Sequence, residues 1–220
     1  MEIQRVWAAY FSPTGTTEKI VTHLAEHLAK PIEHPVLYFD FTLPPARQEA
    51  KRFLKSDLVV FGVPVYAGRV PNVLLKYLNT LEGNGAQAVP VVLFGNRNYD
   101  EALKELRNLL ELRGFQTVAA GAFVGEHAFS YTLGKGRPDY ADLSVASEFA
   151  RRIFAVLRTG QVISPVRLDN EGPLGGYYQP RDQDGNPIDI RKVRPKTRDT
   201  CTDCGYCAQI CPMGSIDPAD

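Results

Sequence analysis

Four cysteines near the end of the chain have the spacing that points most directly to chemistry. The cysteines of the sequence are Cys201, Cys204, Cys207 and Cys211, and Pro212 follows the last of them. The spacing Cys-x2-Cys-x2-Cys-x3-Cys-Pro is typical of thiolates that ligate an iron–sulfur cluster, and such clusters transfer single electrons. We therefore predict that these four cysteines are metal ligands and that the cofactor is a 4Fe-4S cluster.

Other roles for the cysteines stay open at this point. Zinc sites usually pair one Cys-x2-Cys unit with a second ligand pair a dozen or more residues away, and the nearest histidine, His127, is far from the cysteines in sequence. A zinc knuckle, or thiols without a ligand, is therefore the less favoured alternative. Disulfides are less favoured still, because closing so short a segment removes little chain entropy.

A segment rich in hydroxyl groups, Ser12-Pro13-Thr14-Gly15-Thr16-Thr17, follows the first apolar run of the chain. Small side chains let backbone N–H groups face a ligand, and the N-terminus of a following helix adds positive potential, so the segment predicts a phosphate site. A nucleotide triphosphate is not indicated, since neither Gly-Lys-Ser/Thr nor Gly-x-Gly-x-x-Gly occurs. The alternative is that Thr16 or Thr17 only caps the helix.

The elements that position this segment alternate along residues 1–157. Apolar runs predict strands at 6–11, 36–41, 58–63, 89–94 and 118–124. Helical spacing of Ile20, Leu24, Ala25 and Leu28 predicts the first helix, and further helices are predicted at 46–55, 72–80, 101–113 and 143–157. Such alternation predicts an α/β fold with a doubly wound, five-stranded parallel sheet. Its ligand site is expected at the carboxyl edge of the sheet, where the strand order reverses.

Two polar loops, each with one aromatic residue, are expected at that same edge. The loop after the third run reads Pro64-Val65-Tyr66-Ala67-Gly68-Arg69, and the loop after the fourth reads Gly95-Asn96-Arg97-Asn98-Tyr99-Asp100. The flat faces of Tyr66 and Tyr99 suit a planar ring. The plain alternative is that each tyrosine only packs on the protein surface.

These motifs resemble those of a known family. The pattern Ser12-x-Thr14-Gly15-x-Thr17 is similar to the phosphate loop of flavodoxins, and the two later loops match in position those that sandwich an isoalloxazine ring. With the ferredoxin-type tail, the chain resembles the bacterial and archaeal flavodoxin-ferredoxin fusion proteins. That resemblance implies FMN, with its phosphate held by Ser12, Thr14, Gly15, Thr16 and Thr17. It further implies that the ring lies between two groups of residues: Val65, Tyr66, Ala67 and Gly68 on one side, and Asn96, Arg97, Asn98, Tyr99 and Asp100 on the other.

The charge of the chain departs from the flavodoxin pattern. Flavodoxin shuttles are typically strongly acidic, whereas the formal net charge here is zero and the ring loops contain Arg69 and Arg97. Cations at a flavin would stabilise its anionic reduced form and raise its potential. The equally favoured alternative is that both arginines point to water. A neutral chain also disfavours a uniformly basic surface for nucleic acid.

The sequence divides into three parts. We expect a flavodoxin-like FMN-binding domain at 1–157, an irregular linker at 158–200 and the first half of a ferredoxin-type 4Fe-4S motif at 201–220. Such a long irregular linker either wraps the flavin domain or spaces two redox centres, and Tyr177 and Tyr178 are candidate anchors. A basic run precedes the cysteines: Arg191, Lys192, Arg194, Lys196 and Arg198. The default interpretation is a solvated face, and the alternatives are that the run offsets the negative charge of a cluster or docks an acidic partner.

The cysteine motif by itself is only part of a ferredoxin. In two-cluster ferredoxins the fourth cysteine of this run ligates the other cluster, and a distant cysteine completes the first one. This chain has no distant cysteine and stops at Asp220, so we expect a truncated or degenerate ferredoxin half. Such a half is expected to hold iron poorly, as a labile cluster with three protein ligands, or to have free or zinc-bound thiols instead.

Together these patterns predict an electron-transfer flavoprotein that relays electrons between an iron–sulfur cluster and FMN, with a redox protein as donor or acceptor. The alternative is an FMN-dependent quinone or NAD(P)H reductase whose tail binds zinc or is structural. A third interpretation is a carrier that hands electrons to a larger enzyme, so whether the chain is itself an enzyme stays open. No apolar stretch is long enough to span a bilayer, and free thiols suit a reducing compartment, so a cytoplasmic location is expected.

Overall fold

The computed structural model describes residues 3–161, 163–189 and 196–217. Part of the predicted basic run, Arg191, Lys192 and Arg194, lies outside these ranges. Within them, no helix combines the length and the apolar character needed to cross a membrane.

A parallel sheet forms the centre of the molecule. Its strands are β1 (Arg5–Tyr10), β2 (Val36–Asp40), β3 (Asp57–Pro64), β4 (Gln87–Phe94), β5 (Gln116–Thr117) and β6 (Gly121–Val124). The order is β2-β1-β3-β4-β5, and β6 also pairs with β4. Because β5 pairs with the start of β4 and β6 pairs with its end, the two short strands share one position. The predicted five-stranded sheet is therefore confirmed, with its last strand interrupted.

Helices cover both faces of the sheet, as a doubly wound fold requires. They are α1 (Thr16–Ala29), α2 (Leu75–Leu78), α3 (Ala102–Leu112) and α4 (Tyr140–Thr159), and the tail adds a short helix, α5 (Tyr206–Ile210), that buries no residue. On one face, α1 and α4 bury residues such as Leu24 and Ile153 against the strands. On the other, α2 and α3 bury Leu78 and Leu106. The strand order reverses between β1 and β3, which places the expected crevice at their carboxyl ends.

The helix predicted at 46–55 was wrong. Only a 3-10 turn at Pro44–Arg47 forms there, and the chain then runs in an irregular path to β3. The backbone N–H of Phe53 donates to the carbonyl of Glu82 at 2.9 Å, and the N–H of Glu82 donates to the carbonyl of Lys51 at 3.1 Å. These partners replace helical hydrogen bonds and let the fully buried Phe53 ring enter the core. The helix predicted at 72–80 is likewise shorter, a 3-10 turn at Asn72–Leu74 followed by α2.

Residues 163–178, which we call the strap, are part of the predicted linker and lie against the α/β domain. The strap runs along α3 and covers polar side chains of that helix. Lys104 Nζ donates to the carbonyl of Gly172 at 3.0 Å, and the Arg107 guanidinium binds both carboxylate oxygens of Glu171 at 2.8 and 2.6 Å. The N–H of Val166 donates to the carbonyl of Thr117 at 3.0 Å, beside the sheet. Of the two roles predicted for the linker, wrapping is therefore the observed one for the strap.

Candidate functional site

A cavity of about 920 Å³ opens at the carboxyl edge of the sheet, between the loops that follow β1, β3, β4 and β6. Most of the predicted site residues line it: Thr14, Thr16, Thr17, Val65, Tyr66, Ala67, Gly68, Arg97, Asn98 and Asp100. Four predicted residues lie in the same loops but do not line the cavity: Ser12, Gly15, Asn96 and Tyr99. The fold thus brings the three predicted loops to one crevice.

The loop after β1 leaves backbone donors free at the start of α1. Gly15 adopts a left-handed φ of 79°, which turns the chain into the helix. The Ser12 hydroxyl accepts the N–H of Glu18 at 2.9 Å, and the carbonyl of Gly15 accepts the N–H of Lys19 at 3.1 Å. The first N–H groups of a helix have no intrahelical acceptor. The amides of Thr16 and Thr17 therefore remain available at the cavity wall.

The electrostatics of this loop fit an anion that is held without a salt bridge. Thr17 is 1 % exposed, and the hydroxyls of Thr14 and Thr16 lie 3.4 Å apart at the surface. Lys19 is occupied elsewhere, because its Nζ donates to the carbonyl of Pro138 at 2.5 Å. Positive potential at the loop consequently comes from the α1 N-terminus, as a phosphate site of this kind requires.

The loop after β3 is a tight turn that presents Tyr66 to the cavity. Tyr66 and Arg69 exchange two backbone hydrogen bonds, of 2.9 and 3.0 Å. The residues between them, Ala67 and Gly68, have φ values of 49° and 78°, which is typical of a type I′ turn. Tyr66 is 45 % exposed, and its partial burial raises the pKa of its phenol. The ring therefore stays neutral at physiological pH and offers a flat face to a ligand.

The loop after β4 packs closely against that turn. A Cβ placed on Gly68 would lie 2.4 Å from Asp100 Oδ2, so glycine is required for the approach. Asp100 also pairs with the exposed Arg97 at 3.0 Å. Tyr99 packs on Phe94, with ring centroids 5.5 Å apart, and lies beside the cavity rather than in its wall. Of the two tyrosines predicted to face a planar ring, Tyr66 is the one in the wall.

The two arginines of these loops differ from each other. Arg69 points neither to the cavity nor to water: it is 6 % exposed and its guanidinium binds Glu105 at 3.0 and 2.8 Å. These hydrogen bonds raise the pKa of Arg69. Its guanidinium carbon also lies 4.2 Å from the ring centre of Tyr177, which makes Tyr177 an anchor of the strap, as predicted. Arg97 lines the cavity, but its charge is balanced by Asp100.

Sequence reasoning missed a fourth wall of the cavity. The loop after β6 contributes Gly125, Glu126, His127, Ala128 and Phe129, and the strap contributes Tyr178. A Cβ on Gly125 would lie 3.2 Å from Thr16 Cβ, so this loop approaches the start of α1 closely. Phe129 is 95 % exposed, so an aromatic surface stands at the cavity mouth. The sequence contained one signal for this wall. The loop follows the predicted fifth strand, and a doubly wound fold places ligand-binding loops at the ends of its strands.

The cysteine motif has a different character. Cys201, Cys204 and Cys207 are exposed, and Cys211 is half-buried. No group of three or more His, Cys, Asp or Glu side chains able to hold a metal occurs in the ranges that the structure describes. Hydrogen bonds from Ser215 lower the pKa of Cys211 to about 7, and the backbone N–H of Tyr206 lowers that of Cys204. The cysteine sulfur atoms are therefore suited to act as thiolate ligands. Binding of a cluster would draw the four of them together.

Two family models match the chain. A model described as NADPH-dependent FMN reductase matches residues 6–130, and a model described as a 4Fe-4S binding domain matches residues 195–217. These matches confirm the resemblance to a flavodoxin-like domain followed by a ferredoxin-type motif, and they support FMN and a 4Fe-4S cluster as the cofactors. The cavity and the free amides of Thr16 and Thr17 fit FMN, and the four thiols fit the cluster in donor type.

Solved structures confirm the fold. Flavodoxin 2 from Bacillus cereus in its oxidised form is 19% identical, covers 69% of this chain and 97% of its own, and has a TM-score of 0.50. An NADH:FMN oxidoreductase in its apo form is 16% identical over 69% of this chain and 89% of its own, with a TM-score of 0.50. Rubredoxin oxygen:oxidoreductase from Desulfovibrio gigas is 20% identical over 72% of this chain but 37% of its own, with a TM-score of 0.50. A sequence comparison with curated proteins finds no match.

Proposed function

The chain belongs to the NADPH-dependent FMN reductase family through residues 6–130, and from that premise we propose that it relays electrons between the cluster of its tail and the FMN of its first domain. A bound cluster exchanges single electrons, and bound FMN accepts one or two, so the pair joins one-electron donors to two-electron acceptors. The observation that carries the proposal is that one chain has both a cavity with free helix amides and four cysteines in cluster spacing. A redox protein is the proposed donor or acceptor.

In this proposal the loop after β1 holds the FMN phosphate. The amides of Thr16 and Thr17 and the hydroxyls of Thr14, Thr16 and Thr17 donate to the phosphate oxygens, and charged acceptors make such hydrogen bonds strong. Ser12 and Gly15 act on the shape of the loop: the Ser12 hydroxyl binds the N–H of Glu18 in the first turn of α1, and Gly15 supplies the left-handed turn. This division of roles keeps all five predicted residues in the site but gives direct contact to three.

The ring is proposed to lie between the loops after β3 and β4. Val65, Tyr66, Ala67 and Gly68 form one side, with Tyr66 as the stacking residue because it lines the cavity. The loop Asn96, Arg97, Asn98, Tyr99 and Asp100 forms the other side, where Arg97, Asn98 and Asp100 line the cavity and Asn96 and Tyr99 lie beside it. Since Arg97 is paired with Asp100, the pair adds no net charge beside the ring, and little rise of the flavin potential is expected from the arginine.

The division of the chain at 157 and 200 is part of the same proposal. Contacts of the strap with α3 support treating 158–200 as a connector that is tied to the flavin domain at its start. The motif at 201–220 then has its own short helix, α5, and its own ligands.

A reductase is the second candidate, and two observations favour it. The matching family is described as NADPH-dependent, and the exposed Phe129 at the cavity mouth offers a flat apolar surface to a nicotinamide or quinone ring. In that case two-electron transfer takes place at the FMN, and the tail has no part in it.

The two candidates predict opposite responses to the electron donor. Flavin reduction is followed by absorbance in the anaerobic, reconstituted chain, with NADPH or a reduced low-potential ferredoxin as donor. A variant with serine at all four cysteine positions is the control. The relay predicts fast reduction by ferredoxin that is lost in the variant, and slow reduction by NADPH. Equally fast reduction by NADPH in both proteins would instead establish the reductase.

A further inference from the structure

The tail contacts the flavin domain at the turn Pro44–Arg47, which follows β2. Arg47 Nη2 donates a hydrogen bond to the carbonyl oxygen of Pro212, the residue directly after the last cysteine. Next to this bond, Gly214 packs on Pro44, where an added Cβ would come within 3.2 Å of Pro44 Cγ. Cys211 and Pro212 are half-buried, whereas the three other cysteines are exposed. The contact therefore covers the part of the motif that holds its fourth cysteine.

The same guanidinium is fixed from the domain side. Arg47 Nη1 donates to the carbonyls of Phe41 and Thr42, each at 2.6 Å, and the guanidinium carbon lies 5.6 Å from the ring centre of Phe11. Phe11 is buried, so the arginine rests on the core at the end of β1. The planar guanidinium group of an arginine has several N–H donors and can bind carbonyls on two sides at once. The single ammonium group of a lysine cannot.

This arrangement leads directly to the phosphate loop. The Thr42 hydroxyl accepts the backbone N–H of Ser12 at 2.8 Å in a buried hydrogen bond. The Ser12 hydroxyl in turn accepts the N–H of Glu18 in the first turn of α1, whose first residues, Thr16 and Thr17, line the cavity. A continuous set of contacts therefore joins Pro212 to the start of the loop through Arg47 and Thr42, and all three hydrogen bonds of Arg47 in this set go to backbone carbonyls.

We infer that Arg47 is a positioning residue that seats the cysteine motif beside the phosphate loop and thereby sets the rate of electron transfer between cluster and FMN. The inference rests on the proposed relay for its redox part, but the seating itself does not depend on any cofactor. In each transfer one electron leaves the reduced cluster and enters the flavin, and two transfers with two protons from solvent complete FMN reduction. A low-potential, one-electron protein donor restores the reduced cluster.

Hydrogen exchange of the full chain, without added cofactor, tests the seating. Arg47→Ala removes the fork, so amides in 208–214 should exchange about fivefold faster, as the loss of one net hydrogen bond predicts. Arg47→Lys should give the same result, since it keeps the charge but not the fork. Arg52→Ala is the matched control, because its exposed side chain pairs with Glu82 instead. Unchanged exchange in 208–214, or a rise that spreads to β1 and β3, would overturn the inference, the latter because Arg47 would then be a core residue.

The second part of the inference, that the seating sets the rate of electron transfer, is tested after anaerobic reconstitution of both cofactors. The cluster is reduced by a short pulse of photochemically generated reductant, and its reoxidation is followed beside flavin reduction, with iron and FMN content measured in each sample. Arg47→Ala should slow the transfer at least about tenfold at equal cofactor content, while Arg52→Ala should not. An unchanged rate would show that seating does not control transfer. Absence of transfer in the unmodified chain would contradict the relay itself and leave the seating to be judged by hydrogen exchange.

Discussion

The cavity and the cysteine motif, which we propose as the sites of FMN and of the cluster, are built in opposite ways. At the cavity, Thr17 is 1 % exposed and Gly68 and Asp100 meet at close contact, so the fold fixes the loops before a ligand binds. At the motif, three of the four cysteines are exposed and the helix α5 has only 5 residues. The proposed FMN site is therefore preformed, whereas a cluster would have to draw its four cysteine ligands together on binding.

The cores of the molecule show the same contrast. One core cluster lies on each face of the sheet, and both are made of residues from the flavin domain. The strap adds the partly buried Leu168 to one of them, and no residue from 196–217 belongs to either. Folding of the domain should therefore be independent of the tail, apart from the contact made by Arg47.

The largest effect is expected on FMN affinity. Replacing Thr14 and Thr17 by alanine removes two hydrogen bonds to a charged phosphate, each worth about 1.5 to 3 kcal/mol, so affinity should fall by about a hundredfold or more. Fluorescence titration of the apo chain with FMN measures it. Thr22→Ala is the control, since its hydroxyl donates to the carbonyl of Glu18 on the exposed side of α1. Unchanged affinity in the double variant would contradict the phosphate assignment.

Removal of each cofactor in turn is the next test. FMN at a hundred times its dissociation constant should stabilise the domain by about 2.7 kcal/mol, which raises the melting temperature by roughly 5 to 10 °C. Chelation of iron should leave that transition in place, because the tail contributes nothing to the core. Differential scanning calorimetry compares the two, and a fall of several degrees on chelation would mean that the cluster supports the flavin domain.

Two glycines provide a matched pair of substitutions. A Cβ on Gly62 would lie 2.2 Å from Val21 Cγ2, at the contact of β3 with α1, so Gly62→Ala should cost about 1 to 3 kcal/mol of unfolding free energy. Gly205, at the start of α5, has open space around it, so Gly205→Ala should leave the melting of the domain unchanged. Urea denaturation of both variants gives the values. Equal losses at the two positions would contradict the separation of core and tail.

The smallest expected effect concerns pH. Hydrogen bonds from Arg137 hold the pKa of Asp142, at the start of α4, below its ordinary value. A lowered folded-state pKa contributes stability above the unfolded value, near pH 4, and that contribution is lost as pH falls further. Asp142→Asn should therefore destabilise the domain by about 1 kcal/mol at pH 7 and by less at pH 3. Denaturation curves at the two pH values check this, and a difference that grows on acidification would contradict it.

How much the sequence could predict also differs between these regions. The buried run of β3 and the hydroxyl-rich loop with Gly15 depend on local chemistry, so both were predictable. The partners of Arg69 were not, because Glu105 and Tyr177 are distant in sequence and meet it only in the folded chain. The predicted helix at 46–55 failed for a similar reason, since Phe53 takes its backbone partner from Glu82. The seating of the tail on Arg47 is likewise a tertiary contact that no local pattern indicates.

The most direct test of the relay is the rate of cluster reoxidation at different protein concentrations. In the anaerobic chain, with cluster and FMN loaded, the relay predicts that a pulse-reduced cluster returns to its oxidised state as FMN becomes reduced, with one rate constant for both signals. That rate constant should stay the same when the protein is diluted tenfold, because donor and acceptor are on one chain. A rate that falls in proportion to the dilution, or a cluster that stays reduced beside oxidised FMN, would contradict the relay.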